Sequence, residues 1–126
     1  MSKKIIHTTA APGAIGPYSQ AIQTGNLLFV SGQIPINPAT NELVMDNIQD
    51  ETKQVMENLK AVLSAANVGF ENIVKSTIFL SDMSLFAAVN EIYGSYFTGD
   101  YPARETVAVK GLPKGVNVEI SAIAFI

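Results

Sequence analysis

The chain contains 126 residues with a mass of 13.5 kDa, the size of one ordinary domain, so residues 1–126 are expected to fold as a single domain. Apolar residues make up 48% and charged residues 15%, yet no apolar run approaches the ~20 residues of a membrane-spanning helix. The net charge of −3 argues against nucleic acid as a partner, because binding to a phosphate backbone relies on basic surface. We expect a protein without a membrane span, for which nucleic acid is a disfavoured but not an excluded partner.

The chain has no cysteine and a single histidine, His7. Disulfides, thiolate metal sites and cysteine nucleophiles are thereby excluded. A zinc site or a Ser-His-Asp triad would depend on one imidazole near the N-terminus, so we expect no metal site. The first residues lack the apolar stretch of a signal peptide, which makes the cytoplasm the expected location.

The N-terminal part of the chain is predicted to form a β-hairpin. Residues 18–24 and 27–33 have strand-like composition and are separated by Gly25-Asn26, a pair typical of two-residue hairpin turns. Residues 34–47 contain several Pro and Asn residues and are predicted to be a loop.

Two helices are predicted. The first begins at Ile48, where apolar residues start to recur at helical spacing, and is expected to end at Gly69. The second is expected to end before Gly99. Its apolar stripe consists of Phe86, Val89, Tyr93, Tyr96 and Phe97. We interpret these aromatic residues as core rather than as a cofactor site, because they lie on the stripe that must be buried.

Three further strands are predicted, at Ile73–Leu80, 105–109 and 116–125. The first is apolar on both faces, as is typical of a central strand. Along the last strand the side chains alternate, so a polar row that contains Glu119 lies opposite an aliphatic row. This order predicts an α+β fold in which both helices pack on one face of a mixed β-sheet. The other face would then be bare and apolar, which predicts an oligomer whose sheets face each other.

Arg104 is the only arginine and follows Pro102-Ala103 at the start of a predicted strand. Its guanidinium group is suited to bidentate recognition of a carboxylate. The alternative interpretations are a solvated surface arginine or a structural salt bridge.

Glu119 lies on the next predicted strand and is the natural companion of Arg104. A carboxylate that points into an oligomer interface could activate a water molecule as a general base, although a pairing with a lysine is equally compatible with the sequence. Hydroxyl groups and glycines occur at the ends of the hairpin, in segments 16–19 and 30–33. Ser31 is interpreted as a hydrogen-bond donor rather than a nucleophile, because no His or Lys base lies nearby in sequence.

Four segments carry a family resemblance: 14–20 (AIGPYSQ), 31–35 (SGQIP), 102–104 (PAR) and 118–120 (VEI). Over essentially its full length the chain resembles the RidA (YjgF-type) reactive-intermediate deaminases. The resemblance implies a homotrimer of chorismate-mutase-like fold, with its sheets facing inward and three clefts between subunits. It also implies hydrolysis of 2-imino acids, such as 2-iminobutanoate and 2-iminopropanoate, to 2-oxo acids and ammonia without a metal or an organic cofactor.

The resemblance assigns roles to individual residues. The arginine and the acidic residue of the family fall on Arg104 and Glu119, which are the expected catalytic residues. The expected substrate-binding residues are Tyr18, Ser31, Gly32, Asn90, Arg104 and Thr106. Thr106 stands where many members have Cys, Glu105 stands where many have a small residue, and segment 98–100 is shorter than in many members.

Two other functions remain open at this stage. Some relatives are described as RNA-cleaving translation inhibitors, although the acidic balance and the single arginine provide little phosphate-binding surface. A non-catalytic protein that binds small carboxylates would keep Arg104 but would have no use for Glu119 as a base. The expected partners are small 2-imino and 2-oxo acids.

Overall fold

The computed structural model describes residues 2–126. The strands and helices are, in chain order, β1 (Lys3–Ile6), β2 (Ala21–Thr24), β3 (Leu27–Gln33), β4 (Ile36–Asn37), β5 (Glu42–Leu43), α1 (Ile48–Ala65), β6 (Ile73–Leu80), α2 (Phe86–Gly94), β7 (Ala103–Ala108) and β8 (Val118–Phe125). The main sheet has the strand order β1-β2-β3-β8-β6-β7, and β4 and β5 form a separate small hairpin. Strands β6 and β7 are parallel and the other neighbours are antiparallel, so the sheet is mixed, as predicted.

Both helices lie on one face of this sheet. Helix α1 packs on β3 and β8, and α2 packs beside α1. The sheet residues beneath the helices are buried, and in β8 they are Val118, Ile120, Ala122 and Ala124. The period of two along β8 is the alternation that the sequence predicts. The predicted α+β fold with both helices on one face is confirmed.

The hairpin is confirmed, with a two-residue turn between the paired residues Thr24 and Leu27. Gly25 has φ = 57°, a left-handed conformation that glycine adopts without steric cost. The strand before the turn begins at Ala21 rather than at residue 18, because the backbone at Tyr18 forms a tight turn in which its N–H donates to the carbonyl of Gly16 at 2.8 Å. Next to this turn, the side chain of Gln20 binds another segment of the chain. Its amide accepts from Thr8 N–H at 2.8 Å and donates to the carbonyl of Pro12 at 2.8 Å.

Several predicted boundaries differ from the structure. Helix α1 ends at Ala65, ahead of Gly69, because Asn67 takes the left-handed conformation (φ = 61°) that terminates helices. Strand β1 was not predicted, since a short edge strand that begins with two lysines has no clear alternation. Strands β4 and β5 occupy part of the predicted loop. Strand β7 starts at Ala103, which places Arg104 within the strand instead of ahead of it.

Glu51 connects α1 to the start of β8. Its side chain is 1% exposed, and its two carboxylate oxygens accept from the backbone N–H of Asn117 at 2.6 Å and from the Asn117 side-chain amide at 2.9 Å. A buried carboxylate is tolerated when its oxygens are hydrogen-bonded in this way. The contact holds the chain two residues before Glu119.

The sheet face away from the helices, termed the open face, carries a row of apolar side chains across four strands. Ile5, Ile22, Phe29 and Ile123 are successive partners in the strand register. Ile5 is 63% exposed and Phe29 is 41% exposed. An exposed apolar surface of this kind is typical of a face that binds another protein surface.

No helix within residues 2–126 is both long enough and apolar enough to cross a membrane.

Candidate active site

Arg104 lies on β7 and faces α2. In the parallel register it is the partner of Ser76, a buried residue on the helix-covered face of β6. Its Nη1 donates to Oδ1 of Asn90 at 2.6 Å. The guanidinium carbon lies 5.1 Å from the ring centroid of Tyr93, within the range of a cation–π interaction. No carboxylate within residues 2–126 pairs with Arg104, so the salt-bridge interpretation is not supported.

A cleft of about 540 Å³ opens beside the guanidinium group and is termed the Arg104 cleft. Its walls are Asn90, Glu91, Tyr93, Gly94, Tyr101, Pro102 and Arg104. Within the described part of the chain, Arg104 uses one nitrogen in a hydrogen bond, to Asn90. The remaining N–H donors are available to a ligand, and paired donors in this fork geometry match a carboxylate.

Thr106 is two residues beyond Arg104 and faces the same side of β7. Its hydroxyl is buried and has no hydrogen-bond partner among residues 2–126. Buried hydroxyl groups are normally hydrogen-bonded, so this one is an exception, and Thr106 is not among the residues that line the Arg104 cleft.

Glu119 lies on the opposite face of the sheet. Its register partner on β6 is Phe79, whose side chain also points to the open face. The expectation that Glu119 lies on the strand next to Arg104 is wrong, because β6 lies between β7 and β8 and the two side chains project from opposite faces. Their pairing across an oligomer interface stays a prediction. No lysine pairs with Glu119 in the described residues, so that alternative is not supported either.

The Glu119 carboxylate is half-buried against the backbone of β3. Burial raises its pKa above the ordinary value of a glutamate. A carboxylate with a raised pKa is a stronger base than an exposed one, which suits the role of activating water.

Gly32 makes room for Glu119. Strand β3 contains a bulge in which Ser31 and Gly32 together oppose one residue of β8, because Val30 pairs with Ala122 and Gln33 pairs with Ile120. A Cβ at Gly32 would lie 2.7 Å from the Cδ of Glu119. Only glycine therefore allows the carboxylate to occupy this position.

We expect Gly32→Ala to displace the Glu119 carboxylate and to lower about tenfold any turnover that depends on it, because small displacements of a reacting group are costly. Single-turnover kinetics measure the effect. Gly111→Ala is the matched control, since a Cβ there meets no atom within 4 Å. Wild-type turnover in the Gly32→Ala protein would contradict the role assigned to this contact.

Tyr18 connects Gly32 and Ser31, because it lines one small cavity with Gly32 and another with Ser31. The Ser31 hydroxyl donates to the carbonyl of Ser19 at 2.6 Å, in agreement with its interpretation as a hydrogen-bond donor. Tyr18 is 51% exposed and borders a shallow cavity of about 450 Å³ together with Ser31. Tyr18, Ser31, Gly32 and Glu119 thus form one cluster, termed the Glu119 cluster, which is separate from the Arg104 cleft.

Glu105 points away from the Arg104 cleft. It projects from the open face, where Lys75 Nζ lies 3.2 Å from its carboxylate and the Thr77 hydroxyl donates to it at 2.9 Å. The hydrogen bond from Thr77, followed by the contact with Lys75, lowers the pKa of Glu105. Its presence beside Arg104 in sequence therefore leaves the cleft itself unobstructed.

The sequence interpretation treated Tyr93 only as a core residue. The structure shows that Tyr93 is buried and also covers the Arg104 guanidinium. The signal for this second contact is the spacing of Phe86, Asn90 and Tyr93, which places all three on one face of a helix. That spacing does not by itself reveal that the face covers Arg104.

Comparisons with known proteins agree with this fold. The family model described as Endoribonuclease L-PSP matches residues 8–126. The 2-iminobutanoate/2-iminopropanoate deaminase of Mus musculus is 48% identical over 122 residues, covering 97% of this chain and 90% of that protein.

Two solved structures are also close matches. YyfA of the Rid protein family, from Yersinia pestis, superposes with a TM-score of 0.97 at 50% identity, covering 99% of this chain and 100% of that one. E. coli TdcF with bound serine has a TM-score of 0.94 at 44% identity, covering 98% of both chains. The fold defines a small α+β protein, and its candidate site is a cleft beside an arginine. The chain belongs to the RidA/YjgF family, which the Endoribonuclease L-PSP model describes.

Proposed function

We propose that this protein hydrolyses 2-imino acids, including 2-iminobutanoate and 2-iminopropanoate, to 2-oxo acids and ammonia. The observation that carries the proposal is Arg104, whose guanidinium is held by Asn90 and has free donors beside a cleft. Such a group is suited to the carboxylate that every 2-imino acid carries. The mouse relative named for this activity and the serine bound by E. coli TdcF support a small carboxylate substrate.

The proposed mechanism needs positioning and one base. Arg104 binds the substrate carboxylate and so places the imine carbon. Glu119 orients a water molecule and accepts its proton as the oxygen bonds to that carbon. The nitrogen is protonated and leaves as ammonia when the carbon–oxygen double bond forms. Thr106 and Asn90 would act on the Arg104 side of the substrate, and Tyr18, Ser31 and Gly32 on the Glu119 side. No oxidation occurs, so the reaction requires no redox cofactor.

Because Arg104 and Glu119 project from opposite faces of one sheet, we propose that each site combines the Arg104 cleft of one subunit with the Glu119 cluster of a neighbour. A homotrimer with its open faces turned inward would bury the apolar row that includes Ile5 and Phe29. Light scattering should then give three times the chain mass of 13.5 kDa. A monomer mass at micromolar concentration would contradict this arrangement.

Mixed trimers test the shared site directly. Arg104→Ala and Glu119→Gln chains should each be nearly inactive alone. In trimers assembled at random from equal amounts of both, about one site in four pairs a native Arg104 with a native Glu119 of a neighbour, so about a quarter of wild-type turnover should return. The control is the same mixture without unfolding and reassembly, which should stay inactive. Failure of reassembled trimers to recover activity would mean that both groups act from one chain.

The activity itself is tested by ammonia release from freshly generated 2-iminobutanoate, compared with cleavage of a labelled RNA. We expect ammonia release, since a chain of net charge −3 with one arginine has little surface for phosphates. Cleavage of RNA without ammonia release would contradict the proposal. Binding of 2-oxobutanoate without turnover would identify a carboxylate-binding protein instead.

A further inference from the structure

Arg104 contacts one face of α2. Phe86, Asn90 and Tyr93 are separated by four and three residues, which places them on the same side of the helix. Besides its hydrogen bond to Asn90, the guanidinium carbon of Arg104 lies 5.1 Å from the ring centroid of Tyr93 and 5.7 Å from that of Phe86. Both rings are within about 6 Å, the range of cation–π contacts.

The Tyr93 ring is fixed to the sheet that carries Arg104. Its hydroxyl donates to Oγ of Ser76 at 2.9 Å, and both residues are buried. Ser76 is the register partner of Arg104 in the adjacent parallel strand. The tyrosine therefore spans from the neighbouring strand to the guanidinium group.

We propose that Tyr93 is a positioning residue for Arg104, anchored by Ser76 so that its ring holds the guanidinium with the free donors turned toward the cleft. Arginine has a long side chain with many rotamers, and holding it in one orientation lowers the entropic cost of binding a carboxylate. The inference rests on the proposed function only where it predicts an effect of Tyr93 on turnover. The orientation of Arg104 can be measured independently of any substrate.

The single arginine makes that measurement direct, because the Nε–H of Arg104 is the only arginine Nε–H signal in the proton–nitrogen spectrum. In Tyr93→Leu we expect this signal to move toward the position of a free arginine, since the shift caused by the ring is lost. Its heteronuclear relaxation should also report a more mobile side chain. A merely structural tyrosine would leave both properties unchanged.

Binding gives the functional measurement. In Tyr93→Leu we expect calorimetric binding of 2-oxobutanoate to weaken about tenfold, and kcat/KM for 2-iminobutanoate to fall by the same factor through a higher KM. In an Arg104→Ala background the substitution should have no further effect on binding, because Tyr93 acts through the guanidinium. An equal loss in both backgrounds would overturn the proposal.

Tyr96→Leu is the matched control. Tyr96 lies two residues beyond the end of α2, and its hydroxyl donates to Glu57 at 2.6 Å while its ring packs against Phe70 with centroids 5.2 Å apart. Removing it costs an aromatic ring and a hydrogen bond away from Arg104. We expect this control to lower thermal stability without changing the Arg104 signal or the binding of 2-oxobutanoate.

Two milder variants keep the proposal testable if Tyr93→Leu does not fold. Tyr93→Phe retains the ring and removes its anchor on Ser76, so we expect weaker binding by about two- to fivefold and a more mobile Arg104 signal. Phe86→Leu changes a residue that is already 39% exposed and should weaken binding by about two- to threefold. An unchanged Arg104 signal in both variants would overturn the proposal. If Arg104 becomes mobile in the variants but neither they nor the wild-type protein hydrolyse imines, the positioning role stands. The proposed function is then overturned instead.

Discussion

Replacing Arg104 with lysine should lower kcat/KM for 2-iminobutanoate by about 10²-fold, because one ammonium group cannot replace the several directed donors of the guanidinium. In the structure one guanidinium nitrogen is already bound to Asn90, and the planar group lies over the ring of Tyr93. A single ammonium group at this position cannot hold both Asn90 and the substrate carboxylate in the way the guanidinium does. The ammonium group also lacks the flat surface that stacks on a ring.

Steady-state kinetics and calorimetric binding of 2-oxobutanoate on the same preparation measure this effect. We expect both kcat/KM and the affinity for 2-oxobutanoate to fall. Lys60→Arg is a suitable control, because Lys60 is exposed on α1. The substitution exchanges the same two residue types at a position outside the Arg104 cleft and the Glu119 cluster. Near-native kinetics in Arg104→Lys would show that another group binds the carboxylate.

Glu119→Gln should lower imine hydrolysis by about 10²-fold or more, within the range for loss of a general base. The amide keeps the shape of the carboxylate beside Gly32 but cannot accept the proton of the attacking water. Binding of 2-oxobutanoate should survive and could strengthen slightly, because a negative charge near the ligand is removed. Single-turnover hydrolysis and calorimetry, after the oligomer mass has been checked, separate the two effects. Hydrolysis at the wild-type rate would make Glu119 a structural carboxylate.

The pH dependence of wild-type turnover should carry the signature of the same residue. Burial raises the pKa of Glu119, so the basic form is lost at a higher pH than for an ordinary glutamate carboxyl. The acidic limb of the kcat/KM profile should therefore lie above pH 4.5, the ordinary value, and should be absent from the residual activity of Glu119→Gln. An acidic limb that persists in the variant would assign it to another group.

The contribution of Glu119 to the stability of the folded protein should fall as the pH rises, whereas its basic form, which turnover requires, increases. Because the folded-state pKa of Glu119 is raised, protonation favours the folded state, and this contribution is lost as the pH rises from the ordinary value through the folded value. Glu119→Gln carries no such charge. It should therefore match wild type at acid pH and be the more stable protein at neutral pH, as denaturant unfolding at both pH values would show.

Local patterns were sufficient to predict most of the elements. The alternation in β8 and the apolar spacing in α1 report one face of a strand and one face of a helix, and both are confirmed. The Gly25-Asn26 turn was also predicted correctly, because a two-residue hairpin is specified by its own residues and their immediate neighbours. The predicted α+β class follows from these elements and their order.

The two candidate clusters could not be predicted from sequence in the same way. Arg104 and Glu119 were each identified as residue types suited to the chemistry. That they project from opposite faces depends on the parallel pairing of β7 with β6 and the antiparallel pairing of β6 with β8. Similarly, Tyr93 has the spacing of a core residue, and its contact with Arg104 arises only when α2 packs over the sheet edge.

The sequence by itself determined the type and buried face of the main elements, because hydrophobic periodicity and turn chemistry act between residues a few positions apart. Strand order, register and the side on which each functional group projects were decided only by the tertiary structure. Those properties depend on pairing between segments far apart in the chain, and a shift of one residue would turn every side chain of a strand to the other face.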